Sequence, residues 1–283
     1  MGTIKIGFIG AGKVGFSLGK YLKDNNTNLS GYYSKKWHSA KEAAIFTSSK
    51  PYDNLETLIK DSDTIFITTP DVEIEGVWNE IKEFNINNKL ICHCSGSISS
   101  EIFSNITEYG AYGYSIHPIL AISNKYSSYK DFSNTFITIE GDKKHQDYLK
   151  NLFMSLGNSV EIISKENKIL YHLSCVSVSN FVLGIINTGI EYLKKCNFSE
   201  EDTLKAIFPL IEFNIRNIKE NGTINSLTGP VERGDLNTIK NHCEVLDKED
   251  ESLYRLLSKN LLQIAKVKNQ NRDYTKIEEY LGD

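Results

Sequence analysis

The run IKIGFIGAGKVGFSLG places Gly10-x-Gly12-x-x-Gly15 directly behind a short apolar segment. Between a strand and a helix, glycines at this spacing each have a physical task. Gly10 permits the tight turn, Gly12 lets a pyrophosphate approach the backbone, and Gly15 lets strand and helix pack closely. The N–H groups at Lys13 and Val14, at the helix start, then face the anion. About twenty residues further on, where NAD-binding proteins carry an acidic residue, stand Ser34, Lys35 and Lys36. A carboxylate there would repel a 2′-phosphate, whereas a hydroxyl and two ammoniums suit a dianion. NADP is therefore the expected cofactor, and a solvated lysine pair on a surface loop is the plain alternative.

In an open parallel sheet, ligands lie outside the carboxyl ends of the strands. Three such ends carry small, rigid or hydroxyl-bearing residues: Thr69-Pro70-Asp71, Ser95-Gly96-Ser97 and His117-Pro118. Thr69, Pro70, Ser95 and Gly96 are expected beside the nicotinamide end of the cofactor, and His117 beside the substrate. Each also reads as a turn or cap residue, and their clustering is what gives them weight.

Further along, an apolar segment over 166–195 carries Lys168, His172, Ser179 and Asn180 on one side at helical spacing. Hydride reduction of a ketone leaves an alkoxide that needs a proton. An ammonium at Lys168 or an imidazolium at His172 could give it, while Asn180 could orient the substrate. The plain alternative is a structural helix whose polar groups satisfy the backbone. In NSLTGPVERGDLNTIKNH, Thr228 and Arg233 flank a Gly229-Pro230 turn, and Asp235 is a good N-cap. The guanidinium fork of Arg233 suits a substrate carboxylate.

The elements that must position these residues follow from hydrophobic patterning. Apolar runs over 4–9, 28–33, 64–68, 89–94, 111–116 and 135–139 read as strands. Helical patterns over 14–22, 39–45, 55–60, 74–84, 99–106 and 145–156 lie between them. Beyond residue 165 no strand is expected, only helices over 166–195, 200–219, 236–246 and 252–267. The fold class is α/β: a Rossmann-type doubly wound parallel sheet over 1–160, followed by an all-α domain over 161–283 that serves substrate binding and dimerisation. The 166–195 helix, being mostly apolar, is expected to be buried.

Composition bounds the rest. The 283 residues are 40% hydrophobic and 24% charged, with a formal charge of −4. That balance gives no general attraction to nucleic acid or anionic membrane. No apolar run is expected to reach membrane-spanning length, no signal segment is expected, and Met1-Gly2-Thr3 is a poor acylation start because Ile6 follows. The five cysteines read as reduced thiols of a cytoplasmic protein, and Cys92-x-Cys94 lacks a second pair, so no metal site is expected.

Together YHLSCVSVSNF, LTGPVERGDLNTIKNH and HCSGS…YGYSIHPI resemble the signatures of a bacterial family of Rossmann-like oxidoreductases with a conserved C-terminal helical domain. The resemblance covers nearly the whole chain. The architecture is similar to ketopantoate reductases, 6-phosphogluconate dehydrogenases and pyrroline-5-carboxylate reductases. The resemblance implies an alternative type of ketopantoate reductase, reducing 2-dehydropantoate to pantoate with NADPH for pantothenate synthesis. It matches Lys168 to the lysine acid of ordinary ketopantoate reductases, with His172 where they carry asparagine. It also implies a homodimer. The rivals are a reductase or dehydrogenase of an imine or β-hydroxy acid, and a dinucleotide sensor without turnover.

Overall fold

The computed structural model describes residues 4–282, so the Met1-Gly2-Thr3 start lies outside the described residues. The chain forms two compact units, divided between Leu183 and Gly184. The change from alternating elements to helices falls earlier, near residue 160, because the first helix after the sheet stays with the first unit.

In chain order the first unit runs β1 (Lys5–Ile9), α1 (Lys13–Asp24), β2 (Asn28–Tyr33), α2 (Trp37–Phe46), β3 (Lys50–Tyr52) and α3 (Leu55–Lys60). There follow β4 (Thr64–Ile67), α4 (Ile74–Ile81), β5 (Leu90–His93), β6 (Tyr112–Pro118) and β7 (Phe136–Gly141). It closes with α5 (Gln146–Ser155), β8 (Ser159–Ile162) and α6 (Lys168–Val178). The strands make one eight-stranded sheet in the order β3-β2-β1-β4-β5-β6-β7-β8. Every neighbouring pair is parallel except β6 and β7. Alternate residues serve two cores. Phe8, Phe66, Cys92 and Tyr114 join one face, while Ile9, Ile65, Ile67 and Ile91 join the other.

The six expected strands form, and two more flank them. β3 contains Pro51 on an edge, where its missing N–H costs nothing. β8 is the other edge and buries only Val160. Half-buried edges give little hydrophobic pattern. The helix expected over 99–106 is instead two short 3-10 turns, Ser100–Ile102 and Ile106–Tyr109. The break falls where Phe103 (ψ 65°) and the left-handed Asn105 (φ +58°) leave the helical region, while the Glu140 carboxylate takes hydrogen bonds from the Ser100 N–H (2.7 Å) and hydroxyl (2.8 Å).

The long helix expected over 166–195 divides at Ser179 (φ −119°, ψ −77°) into α6 and α7 (Asn180–Lys195). The hydroxyls of Ser174, Ser177 and Ser179 donate back to carbonyls three or four residues earlier, a pattern that bends helices. Two expectations are corrected here. Ile169, Leu170, Leu173, Phe181 and Leu183 are exposed, so the segment is not a buried helix. Lys165–Lys195, whose most apolar 18 residues have a mean hydropathy of 1.8, is also long and apolar enough to cross a membrane. Its charged side chains gather at the two ends, which leaves a central window interrupted only by uncharged polar residues.

The second unit continues with α8 (Glu200–Ser226), interrupted at Gly222, then α9 (Pro230–Arg233) and α10 (Leu236–Glu244). It ends with α11 (Lys248–Lys268) and α12 (Thr275–Leu281). Asp235 caps α10 by accepting from the Thr238 N–H at 3.0 Å. Val231, Ile239, Leu262, Tyr274 and Ile277 form the small core of this unit.

One irregularity aims the cofactor side of the sheet. The β1–β2 register skips Ser30, so β2 carries a bulge, and Gly31 adopts φ +146° against β3. A Cβ on Gly31 would stand 1.7 Å from the Lys50 carbonyl oxygen. Gly31→Ala should lower stability by about 2 kcal/mol or more through overpacking and backbone strain, read as a reduced melting temperature by circular dichroism.

Candidate active site

A groove of about 460 Å³ opens at the carboxyl ends of β1, β2 and β4. Its walls include Gly10, Gly12, Ser34, Lys35, Lys36, Thr69, Pro70 and Glu73. Gly10 sits at φ +100° with its α-carbon pressed on the Thr68–Thr69 peptide, where a Cβ would come within 2.9 Å. Gly15 does not line the groove; a Cβ there would meet Thr68 Oγ1 at 2.3 Å, so it serves helix–strand packing. A Cβ on Gly12 would have only the Thr68 carbonyl within reach, at 3.8 Å, leaving the backbone open to a ligand.

No side chain caps α1, so its first N–H groups, at Lys13 and Val14, remain for an anion. The Thr69 hydroxyl is buried without a hydrogen-bond partner among the described residues. An orphaned hydroxyl in the wall of a groove with an uncapped helix start fits a phosphate-bearing nucleotide. Lys35 forms an ion pair with Glu73 at 2.9 Å.

Beyond Pro70 a second cluster follows at the ends of β5 and β6. Lys168, the first residue of α6, is only 1% exposed. Its ammonium donates to the Ser115 hydroxyl, which donates to the Ser95 carbonyl at 3.0 Å. Desolvation brings the Lys168 pKa down to about 8, against the opposing pull of Glu140 and other negative groups nearby, including Asp71. The Ser95 hydroxyl donates to Asp71 at 2.6 Å and accepts from the N–H groups of Ser97 (3.2 Å) and Ile98 (3.1 Å).

Gly96 is wedged between two imidazoles: a Cβ there would lie 2.6 Å from His172 and 2.9 Å from His117. Burial first, then the Lys168 charge, lowers the His117 pKa to about 4, so this ring is neutral at physiological pH. His117 Nδ1 pairs with the Tyr171 hydroxyl at 2.6 Å. Burial likewise takes His93 down to about 4 and the Cys94 thiol up to about 12.

Of the residues singled out from sequence, Gly10, Gly12, Ser34, Lys35, Lys36, Thr69 and Pro70 share the groove. Lys168, Ser95, Gly96, His117 and His172 share the second cluster. Asn180 lies beyond the helix break and is exposed. Thr228 and Arg233 are exposed in the second unit, and the Arg233 guanidinium has no partner among the described residues. Ser115, Tyr171, Glu140 and Glu73 escaped the sequence reading. A serine inside an apolar strand (Ser115) and a tyrosine one helical turn after Lys168 (Tyr171) were the available signals. No group of three or more potential metal ligands occurs among the described residues.

Comparison with known proteins fits this geometry. Residues 1–118 match the Rossmann-like domain, and residues 135–261 match a domain of unknown function, DUF2520. Among solved structures, a protein from Thermotoga maritima is 24% identical with a TM-score of 0.75, covering 93% of this chain and 99% of its own. A candidate NADP oxidoreductase from Bacteroides fragilis is 25% identical with a TM-score of 0.74, covering 92% and 98%. A reductive aminase from Aspergillus terreus, in complex with NADPH and ethyl-5-oxohexanoate, is 11% identical with a TM-score of 0.64, covering 99% and 100%. No curated protein matches the sequence. The chain shares the fold of these structures: a Rossmann-like, mostly parallel sheet with a helical C-terminal region.

The Lys168 ammonium also makes stability depend on pH. Its folded pKa of about 8 lies below the ordinary 10.5, so between those pH values the unfolded chain binds more protons and stability rises with pH. Against Lys168→Met, the wild type should gain about 3 kcal/mol across that window in denaturant melts.

Proposed function

We propose that the protein is an NADPH-dependent reductase of a small 2-oxo acid, with 2-dehydropantoate, reduced to pantoate, as its substrate. One observation carries the reading: a single buried ammonium, poised near neutrality, stands beside a strand-end turn that also walls the dinucleotide groove. Gly10, Gly12 and the first turn of α1 would hold the pyrophosphate. Ser34, Lys35 and Lys36 would hold the 2′-phosphate, and Thr69, Pro70, Ser95 and Gly96 would flank the nicotinamide end. Bound there, the dinucleotide supplies hydride to the substrate's carbonyl carbon.

The protein's own part is acid catalysis. Lys168 donates a proton to the developing alkoxide and is left as a neutral amine, for which a pKa near 8 is well matched. Ser115 fixes the direction of Nζ by accepting a hydrogen bond from it. His117 is held neutral by burial, so it cannot be the acid at pH 7, and with Tyr171 it serves as a hydrogen-bonding wall. His117 and His172 pack on Gly96, where only a glycine fits between the two rings.

A second reading, reduction of an imine, draws support from Asp71. A carboxylate facing Lys168 favours a protonated iminium nitrogen over a substrate carboxylate. NADPH absorbance loss with 2-dehydropantoate, beside other 2-oxo acids, imines and NADH, separates the two. Turnover of imines alone would sink the oxo-acid reading, and tight NADPH binding without any turnover would leave a sensor.

The proposed assembly is a homodimer, whose second copy covers the apolar side chains left exposed on α6, α7 and α8, among them Leu173, Phe181, Phe208 and Phe213. Light scattering in detergent-free buffer should give twice the chain mass. A monomer that aggregates unless detergent is added would point to lipid instead.

Lys168→Ala should lower kcat by about 100-fold or more while leaving the NADPH dissociation constant unchanged. In the wild type, kcat/KM for reduction should fall with unit slope above pH 8, because the donor is the protonated form. A flat profile from pH 7 to 10 would remove Lys168 as the acid.

A further inference from the structure

Glu73 stands in the groove wall and no phosphate-binding motif calls for it. It ends the 3-10 turn Asp71–Glu73 that follows β4, and its carboxylate reaches across to the loop after β2 to pair with Lys35 Nζ at 2.9 Å. Both side chains line the groove beside Ser34 and Lys36, and Glu80 on α4 lines the same wall. Lys36, by contrast, has no carboxylate partner among the described residues.

A cation already paired must exchange its carboxylate for an incoming phosphate. The Lys35 and Glu73 side chains are 74% and 48% exposed, so the pair itself is weak and the exchange is easy. The released carboxylate then remains against a dianion in the same wall, and like charges at that range repel. A plain ribose meets the opposite situation. Its hydroxyls can donate to a carboxylate, the interaction that acidic residues provide in NAD-binding sites.

We propose that Glu73 is a specificity-determining residue: an internal carboxylate that competes with the 2′-phosphate for Lys35 and so sets how far the site prefers NADPH over NADH. The inference rests on the dinucleotide reading of the groove and adds a residue that works against the phosphate-binding cations. A Lys35–Glu73 pair closes the adenosine end when no phosphate enters, and Glu73 limits the selectivity that Ser34, Lys35 and Lys36 would otherwise give.

The test uses two ligands that differ only in the 2′-phosphate, adenosine 2′,5′-bisphosphate and 5′-AMP, titrated by calorimetry into wild type and Glu73→Gln. The substitution is isosteric and exposed, and circular dichroism checks its fold. Glu73→Gln should tighten the bisphosphate by about five-fold, from loss of one exposed pair and one repulsion, while 5′-AMP is unchanged or weaker. The gain should shrink in 1 M salt, where screening acts over about 3 Å. An unchanged ratio of the two affinities, with the bisphosphate still bound, overturns the proposal and leaves the groove reading intact. Failure of the folded wild type to bind the bisphosphate overturns both.

Discussion

An ammonium held away from water with no carboxylate in direct contact costs several kcal/mol unless its surroundings compensate, and the first unit is built around such a group. Among the described residues the Lys168 ammonium has one hydrogen-bond partner, the Ser115 hydroxyl, and that hydroxyl is itself anchored on the Ser95 carbonyl. Glu140 and Asp71 supply negative potential without touching it. Each is engaged elsewhere, Glu140 by Ser100 and Asp71 by Ser95. The same burial keeps His93 and His117 neutral and Cys94 a thiol, so the cluster holds a positive charge without competing cations. Such a balance brings a buried ammonium's pKa toward neutrality while costing stability, the compromise expected where a group works rather than merely packs.

The turn after β4 links this cluster to the groove. Thr68 and Thr69 press against Gly10, Pro70 lines the groove, Asp71 fixes the Ser95 hydroxyl, and Glu73 reaches Lys35. Five of the six residues from Thr68 to Glu73 therefore connect the two ends of the proposed chemistry. Their position follows from β4 lying beside β1 in the strand order, where the sheet's connections reverse direction and a crevice must open.

The helices beyond the sheet obey a different constraint. α6 begins with the residue most tightly built into the site, yet its flank and most of α7 and α8 present leucine, isoleucine and phenylalanine to the surroundings. Apolar surface on that scale is stable only when something covers it. The serine-induced break at Ser179 lies within this exposed apolar stretch, and Lys168 alone of α6 is fully buried.

By itself the sequence determined the sheet, because central parallel strands are apolar on both faces, and the phosphate-binding turn, because Gly10, Gly12 and Gly15 act through purely local geometry. It also determined Lys168 and His172 as a pair, since one helical turn fixes their spacing. Tertiary structure alone decided which groups surround that pair. Ser115 lies within β6, Glu140 within β7 and Asp71 in the turn after β4, and no periodicity relates them. It also separated Asn180 from the pair, because hydroxyl-to-carbonyl bonds outweighed a helical pattern that looked continuous. Local chemistry can be read along a chain, but the charge a buried group carries depends on neighbours that only folding brings near.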